Sequence, residues 1–529
     1  MMYRIAASCL ISLLLAVSAQ GQGYQHDPHF FIDTHPALHL SNAAALSLLE
    51  DSRITTADVS FQKENGRLIP LEGSDDAWRA GIETEAFSRV SNRLSFHEKL
   101  SYSHFRGKNM GAQILMDPAY NPINFLEEDM TSRGNKKRET YSMEGGIACR
   151  LSDALSLGLG VDYTSADQVK YKDPRFQNVW MDLAIRPAVF FRLSDTFRMG
   201  VNLEYRKTLE IISAKLYGTL DRDYYILVDQ GNFYGGKERF EGDVGYISVS
   251  NDRPLSHSFY GLSLQALINR GKAHYCGEFT ALYRDGYFGN RSSSSIVFCE
   301  FRGMDLAYKG SFLLPQNRNL HKMEVEASFG MLNNYTNQYR YETEIGMTGK
   351  IVYLAQKQTF SRTDFQAVGR YTFYGDTSGF LPQWELNACA DVSGKFQQTL
   401  LYPFSRDAHT LRMEVMLGAT RNIAKGKNIY SFQGSASFLM GFGTPREDTV
   451  SAGATTTYRS FDNYSDRQFE YETASRIGCG ISLKYSRIVS EKCIPYVKLS
   501  DSFRTLLSAP QYLDGAGRNI ASISLGCSF

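Results

Sequence analysis

The 529-residue sequence contains no long hydrophobic run after its first twenty residues. A helix that crosses a membrane needs about 18 continuous apolar residues, so a helical membrane protein is excluded. Proline is scarce, with 14 residues, whereas the sequence has 32 Tyr and 33 Phe. This composition favours many long β-strands over helices. The formal net charge of +1 gives no bulk attraction to nucleic acid, and we expect no nucleic-acid partner.

Motifs that carry enzyme chemistry are also missing. The sequence has no Gly-x-Ser-x-Gly turn, no glycine-rich nucleotide loop, no phosphate-binding loop and no zinc-protease motif. A hydrolase would need a nucleophile beside a histidine that a third group orients. No motif surrounds His97, His104, His257 or His274. We therefore expect no enzymatic activity and no cofactor.

Cysteine is sparse and isolated. Of eight cysteines, seven lie beyond the first twenty residues, each alone within a strand pattern: Cys149, Cys276, Cys299, Cys389, Cys479, Cys493 and Cys527. An odd number of isolated cysteines predicts neither a disulfide framework nor a metal site. We interpret them as structural thiols, because cysteine on an apolar face packs like a small hydrophobic residue.

What the sequence does contain is alternation between apolar and polar residues. In the clearest segment, Leu155, Leu157, Leu159, Val161 and Tyr163 alternate with Ser156, Gly158, Gly160, Asp162 and Thr164. Side chains of a strand alternate faces, so this segment has one apolar and one polar face. Segments of about ten such residues, separated by turns, are typical of a transmembrane β-barrel.

Short and long connectors alternate between these segments. The short ones contain Ser, Asn, Asp and Gly, which tight hairpins favour, and Arg-Leu-Ser-Asp occurs in two of them, starting at Arg150 and Arg192. The long polar connectors are 108–138, 168–177, 212–255, 287–295, 334–346, 444–468 and 507–517. Outer-membrane barrels have short periplasmic turns and long outer loops. A soluble secreted β-protein would have no reason to sort its connectors in this way.

We therefore predict an all-β protein: a single transmembrane antiparallel up-and-down β-barrel of about 16–20 strands, with both termini periplasmic. Weak strand candidates lie near 54–65 and 396–404. At the start, Arg4, an apolar run to Val17 and the small residue Ala19 predict a signal peptide. The expected organisation is a signal peptide at 1–19, a periplasmic or plug segment with a possible first strand at 20–77, and the transmembrane barrel at 78–529.

The last strand carries a family resemblance. Ala521, Ile523, Leu525, Cys527 and Phe529 lie on one face of an alternating segment. A terminal strand that closes on Phe resembles the outer-membrane barrels of bacteria, whose assembly machinery reads that strand. The resemblance implies Ile523, Leu525 and Phe529 as an insertion signal, the barrel-assembly machinery and outer-membrane lipid as partners, and the cell outer membrane as location.

Two narrower resemblances concern the amino-terminal part and the general pattern. The segment Asn42-Ala43-Ala44-Ala45-Leu46 resembles the Asn-Pro-Ala start of fatty-acid-transporter-like barrels, with Ala43 in place of the proline. The leader, the turns and the aromatic strands over 40–529 resemble uncharacterised barrel proteins of Bacteroidota outer membranes. Some of those proteins accompany larger nutrient-uptake receptors, so the resemblance implies a TonB-dependent receptor as a partner.

Residues 20–52 have no strand period and hold four histidines, His26, His29, His35 and His39. Imidazole suits zinc, copper or nickel. However, the histidine spacing matches no metal pattern, and Pro28 and Pro36 break any helix that would align the rings. We interpret the segment as structural or as a plug, and keep the histidines as weak metal candidates.

Charged residues of both signs fall on the predicted inner face. They are Glu83, Glu85, Arg186, Arg192, Arg198, Glu204, Arg206, Glu324, Glu326, Arg412 and Glu414. Opposed charges set selectivity at a porin constriction. The same charges could instead close the lumen through salt bridges, and the sequence leaves both alternatives open.

A basic run, Arg133, Lys136, Lys137 and Arg138, lies in a predicted outer loop, where it could contact lipopolysaccharide phosphates or remain solvated. With 16 or more strands the lumen is too wide for side chains alone to fill. The sequence therefore favours a pore or transport component for small molecules. The alternative is a non-conducting accessory subunit of a larger outer-membrane nutrient-uptake complex.

Overall fold

The structure is a computed structural model that describes residues 27–49, 53–128, 130–215, 223–240, 245–247, 252–291, 295–342, 350–451, 455, 458–490 and 493–529. The predicted signal peptide and His26 lie outside the described residues.

Eighteen antiparallel strands form a closed barrel, which confirms the predicted fold and strand number. They are β1 (Arg53–Gly66), β2 (Asp76–Arg89), β3 (Leu94–Met110), β5 (Gly134–Arg150), β6 (Leu155–Lys170), β7 (Arg175–Arg192), β8 (Phe197–Lys215), β11 (Leu255–Arg270), β12 (Ala273–Gly289), β13 (Val297–Gln316), β14 (Asn319–Glu342), β15 (Lys350–Gly375), β16 (Trp384–Leu401), β17 (Phe404–Lys425), β18 (Asn428–Val450), β20 (Arg476–Arg487), β21 (Ile494–Leu506) and β22 (Gly517–Ser528). Each strand pairs with the next strand of the wall, so the barrel is up-and-down.

The barrel closes where β1 pairs with β22. Val59 lies opposite Leu525 and Phe61 opposite Ile523 in this pair. The backbone of Phe529 continues the pairing, because its N–H donates to the Thr55 carbonyl at 2.8 Å. The wall therefore begins at Arg53, and the possible first strand near 54–65 belongs to it. The other weak candidate, 396–404, is no separate strand, since β16 runs to Leu401 and β17 begins at Phe404.

The two faces of the wall differ as the alternation predicts. Apolar side chains such as Ile481 and Leu525 are exposed on the outside, by 66% and 53%. The intervening positions face the lumen and carry most of the polar and charged side chains that make ion pairs. Among the described residues, no helix is long and apolar enough to cross a membrane.

The connectors sort to the two ends of the barrel, with exceptions. The end that holds 90–93, 151–154, 193–196, 271–272, 317–318, 426–427 and 488–493 is called the short-turn end. At the opposite, long-loop end, two connectors are short, 171–174 and 402–403, although 168–177 was predicted to be long. The prediction failed there because β6 and β7 extend beyond their apolar segments.

Parts of three long connectors fold into a second sheet. Strands β4 (Asn124–Glu127), β9 (Tyr225–Asp229), β10 (Tyr234–Arg239) and β19 (Arg459–Ser460) form a four-stranded sheet in the order β19-β10-β9-β4. A helix, α2 (Asp462–Thr473), follows β19. We call this sheet and helix the inner domain. The connectors 108–138, 212–255 and 444–468 were predicted to be polar outer loops, and this prediction is wrong for the parts that form the sheet and the helix.

The amino-terminal residues 27–49 lie in the mouth of the barrel at the short-turn end, and we call them the mouth segment. The segment contains helix α1 (Pro28–Thr34) and two 3-10 helices, Pro36–His39 and Ala43–Leu48. Asp27 caps α1, because its carboxylate accepts from the backbone N–H groups of His29 and Phe30.

Candidate functional site

The second 3-10 helix of the mouth segment, Ala43–Leu48, is anchored to one side of the wall by Asn42. The Asn42 side chain accepts from the backbone N–H of Ala44 at 2.9 Å, which caps the helix. Its amide nitrogen donates to the side-chain oxygen of Gln265 at 2.9 Å and to the carbonyl of Val189 at 3.0 Å. One buried asparagine therefore both starts the helix and fastens it to the wall.

Glycine on the inner face lets the helix approach the wall closely. A Cβ atom added at Gly158 would lie 2.2 Å from the backbone nitrogen of Ala44 and 2.7 Å from the carbonyl carbon of Ala43. At Gly160, two residues along the same face, the nearest atoms are the Cβ atoms of Arg186 and Ala43 at 3.7 and 3.8 Å. Only the first of these glycines is required by the position of the mouth segment.

A neighbouring part of the mouth, at β12, β14 and β15, is held by charge. Lys322, which is buried, places its ammonium 2.9 Å from the Asp33 carboxylate and 2.9 Å from Glu324. The hydroxyl of Tyr374 also donates to Asp33. Burial raises the pKa of Asp33, but the Lys322 charge and the Tyr374 hydrogen bond outweigh burial and hold that pKa below its ordinary value. The backbone N–H of Ser41 donates to Glu278 at 2.9 Å.

The long-loop end is obstructed by the inner domain, which is joined to the wall by a hydrophobic core. Phe125 and Val228 of the inner sheet are fully buried and pack with Phe288 and Phe301 of the wall. Buried ion pairs add to this core: Lys170 of β6 lies 2.5 Å from Glu127 of β4, and neither side chain is exposed by more than 1%. The inner domain is therefore built into the folded barrel.

Arg406 of β17 is a second buried charge that ties the wall to the inner domain. Its guanidinium makes two hydrogen bonds to Asp448, at 2.6 and 2.7 Å, and one to Asp462 of α2 at 3.1 Å. It also donates to the carbonyl of Asn232 at 3.1 Å, between β9 and β10. These hydrogen bonds offset the free-energy cost of burying the guanidinium charge.

A polar cavity of about 340 Å³ lies in the lumen beside the inner domain. Two ion pairs line it: Arg362 with Asp364 at 2.9 Å, and Lys395 with Glu472 at 3.0 Å. Asp229 also lines the cavity, and burial raises the pKa of this carboxyl group to about 6, although three backbone N–H groups oppose the shift. The cavity is large enough for a small polar molecule.

The predicted lumen charges lie on the inner face, and most of them have partners. Arg206 makes a two-pronged hydrogen bond to Asp182 of the neighbouring strand, at 2.6 to 3.1 Å. The other pairs are Glu83 with Lys99, Glu85 with His97, Arg186 with Asp162 and Glu204, Arg192 with Asp195, Glu324 with Lys322 and Arg370, and Arg412 with Glu414. Glu326 is exposed to the lumen, and Arg198 lies beside Arg192 and Arg150.

The basic run was predicted to lie in an outer loop, and this prediction was wrong for three of its four residues. Lys136, Lys137 and Arg138 lie within β5. Lys136 is buried and donates to the Gln113 carbonyl at 2.7 Å, and Arg138 donates to Gln168 at 2.6 Å. Arg133 precedes the strand and pairs with Asp514 at 3.0 Å. These contacts hold the inside of the barrel together.

Each described histidine of the mouth segment has its own surroundings and contacts. His39 hydrogen bonds to the Asp33 carbonyl at 2.9 Å, and the His29 ring meets Tyr496 edge-on at 5.9 Å. Burial lowers the pKa of His35 to about 4. Over the described part of the chain, no three His, Cys, Asp or Glu side chains converge as metal ligands would. Metal binding by these histidines stays a prediction.

Of the three residues predicted to form the insertion signal, Ile523 and Leu525 are exposed on the outer face, by 40% and 53%. Phe529 follows the last residue of β22 and is half-buried. Their role as an insertion signal stays a prediction.

The inner domain and the attachment of the mouth segment to the wall were not predicted from the sequence. Two signals were present: the adjacent apolar residues Phe125-Leu126 and Ile226-Leu227-Val228 stand inside otherwise polar connectors. Such short runs are typical of fully buried strands. The glycines of β6 were a third signal, because glycine on a lumen face marks a close approach of backbone.

Among curated proteins, none matches this sequence. Solved structures with similar folds include the outer membrane transporter YddB from Escherichia coli, at 7% identity over 90% of this chain and 80% of that chain, with a TM-score of 0.39. They also include the ferric preacinetobactin receptor BauA from Acinetobacter baumannii, at 8% identity over 90% and 80%, with a TM-score of 0.37. The siderophore receptor PirA from Pseudomonas aeruginosa is 9% identical over 91% and 81%, with a TM-score of 0.36.

A family model matches residues 43–529, from the 3-10 helix of the mouth segment to the last strand. The match covers the second 3-10 helix of the mouth segment, the inner domain and all eighteen wall strands. The chain therefore belongs to DUF6850, a family of unknown function.

Proposed function

We propose that this chain is an outer-membrane barrel that moves small polar molecules, and that its mouth segment is the gate. The exposed apolar outer face supports insertion in a membrane, since a soluble protein rarely exposes so continuous an apolar surface. The predicted leader supports export. On this proposal, outer-membrane lipid and lipopolysaccharide surround the barrel, and the assembly machinery reads Ile523, Leu525 and Phe529.

The observation that carries the proposal is the way in which the mouth segment is held. Its contacts with the wall include hydrogen bonds and ion pairs of Asp33, Ser41 and Asn42 with wall side chains. Water can replace such contacts, so each has a modest net value of about 1–3 kcal/mol. Two small apolar clusters, around Ala44 and Leu46, also join the segment to the wall, and each is smaller than the core that holds the inner domain. On this proposal the segment leaves the mouth while the wall stays folded, which is the property that a gate needs.

The solute on this proposal is small and polar. The cavity beside the inner domain is lined by paired charges and by amide side chains, among them Gln113, Asn124 and Gln397. Paired charges bind dipolar or neutral polar molecules without selecting one sign of charge. We propose transport and not catalysis for this lumen.

Gly158→Val tests the gate. A branched side chain at Gly158 cannot share space with the Ala44 backbone, so the mouth segment must move. We expect the purified variant to show frequent, large openings in a planar bilayer, whereas the wild type stays mostly closed. Gly160→Ala is the matched control on the same strand and face, and its conductance should equal that of the wild type.

Deletion of residues 27–49 is the stronger form of this experiment. The deleted barrel should conduct continuously. If it remains heat-modifiable, and so folded, yet carries no current, the transport proposal is wrong.

That outcome would favour the alternative, a non-conducting accessory subunit of a larger nutrient-uptake complex. The observation in its favour is that the inner domain obstructs the long-loop end through a hydrophobic core. The resemblance to barrel proteins of Bacteroidota proposes a TonB-dependent receptor as the partner. Cross-linking in intact cells, followed by purification of this chain under denaturing conditions, would identify a larger receptor attached to the inner domain or the outer loops.

A further inference from the structure

The repeated tetrapeptide Arg-Leu-Ser-Asp builds two neighbouring turns with the same hydrogen bonds. In the first, the N–H of Leu151 donates to the Leu155 carbonyl at 3.0 Å; in the second, Leu193 donates to Phe197 at 3.1 Å. The two turns join β5 to β6 and β7 to β8, which are adjacent hairpins of the wall. Each tetrapeptide begins with the last residue of its strand, Arg150 or Arg192.

These two arginines and a third one converge on the inside of the short-turn end. Arg198 of β8 is the direct cross-strand partner of Arg192. Like charges placed opposite each other on neighbouring strands are destabilising. Arg150, on the other side, donates to the Ser47 carbonyl of the mouth segment.

The positive charge of Arg198 is not compensated by the protein. Arg192 has Asp195 at 2.5 Å, but Arg198 has no carboxylate within ion-pair distance among the described residues. The charges that act on Arg198 are those of Arg192 and Arg150, and both are repulsive. An arrangement of this kind is stable only with an anion or with water that screens the three charges.

A cavity of about 90 Å³ is lined by all three arginines. Ser156, which is 7% exposed, and the buried Phe190 also line it. Ser47 and Leu48 of the mouth segment and the acidic residue Asp153 complete this part of the lining. The cavity is the size of a single tetrahedral anion.

We propose that this cavity is a phosphate-binding site, formed by Arg150, Arg192 and Arg198. Guanidinium groups donate in a planar fork that matches the oxygens of phosphate, and phosphate would neutralise the repulsion among the three arginines. The ligand is inorganic phosphate or the phosphate group of a small phosphomonoester. Its place beside the mouth segment puts it at the end of the lumen where a solute leaves or enters.

Binding of inorganic phosphate to the full chain in detergent, followed by titration calorimetry, tests the site. We expect saturable binding of one phosphate, weakened about tenfold or more in Arg198→Gln, since that change removes charge-assisted hydrogen bonds. Arg198→Lys should retain part of the affinity as a point charge. Arg270→Gln, an exposed arginine at the end of β11, is the matched control and should bind like the wild type.

Glycerol phosphate, titrated in the same way, separates the two sources of the group. Tighter binding of the ester than of inorganic phosphate assigns the site to a phosphorylated solute, and the reverse assigns it to the free ion. Equal heats for wild type and a folded, heat-modifiable Arg198→Gln variant would overturn the proposal. The assay needs no conductance, so its result is independent of whether the barrel transports.

Discussion

The two ends of the lumen are obstructed in different physical ways. The mouth segment is held by polar contacts of Asp33, Ser41 and Asn42 with the wall. Two small apolar clusters, around Ala44 and Leu46, add to these contacts. The inner domain is held by fully buried apolar residues such as Phe125 and by the buried pair Glu127–Lys170. Hydrophobic burial cannot be exchanged for water contacts at similar free energy, whereas most hydrogen bonds can. The inner domain belongs to a larger apolar cluster than the mouth segment does, so the mouth segment is the removable obstruction and the inner domain the permanent one.

The largest expected effect comes from the permanent end. Phe125→Ala removes a fully buried ring that contacts Phe288 at a centroid distance of 5.1 Å. We expect the free energy of unfolding of the inner domain to fall by about 3–5 kcal/mol, the usual cost of such a cavity. Limited proteolysis should then cleave within 111–133 under conditions that leave the wild type intact. Phe279→Ala, at an exposed position of the outer face, should leave that cleavage unchanged. Equal cleavage in both variants would contradict the permanence of this end.

A smaller effect is expected at the removable end. Lys322→Met leaves the carboxylates of Asp33 and Glu324 without their shared ammonium. The free energy that holds the mouth segment in place should fall by roughly 1–2 kcal/mol, and the loss stays this small because Asp33 is partly exposed. Hydrogen exchange over 28–49 should become faster while the wall strands keep their protection. The control is Glu326→Gln on the same strand, since Glu326 is exposed to the lumen. Unchanged exchange in Lys322→Met would show that the ion pair does not hold the segment.

The expected effect that is smallest near neutral pH is a pH dependence of the same segment. Burial lowers the pKa of His35 from 6.5 to about 4. In the released segment the ring is in water and regains its ordinary pKa, so the released state binds more protons between pH 6.5 and about 4. The closed state therefore loses stability as pH falls through this window, and conductance or exchange over 28–49 should rise. His35→Asn should reduce the response, and the part that remains belongs to His29, whose pKa is also lowered by burial. A response that persists unchanged would exclude His35 as a source.

The wall could be predicted from the sequence because each of its strands is marked by the alternation of its own residues. Leu155 to Thr164 alternate, so both the strand and its lipid-facing side follow from ten residues. The lengths of the strands did not follow, because β14 and β15 continue beyond the apolar region with polar residues on both faces, for example at Gln356 and Lys357 of β15. Local hydrophobicity no longer marks a strand there.

The contacts that define the candidate site could not be read from the sequence, because they join distant residues. Asp33 and Lys322 are 289 residues apart, and Arg406 and Asn232 are 174 apart. Nothing in the composition of either neighbourhood specifies such a partner. Charges of both signs on the inner face were predicted, but which of them pair and which, like Arg198, stand beside like charges depends on the register of the strands.

The seam between β1 and β22 has a consequence for assembly. The mouth segment directly precedes β1, and it lies inside the ring that this pairing completes. Strand β22 must find β1 after residues 27–49 have taken their place inside, or the segment must thread inward through the finished mouth. Its Asn42 and Gly158 contacts involve β6, β7 and β11, which are formed from the middle of the chain. None of these contacts needs a residue of β22, so the segment can be in place before the ring closes.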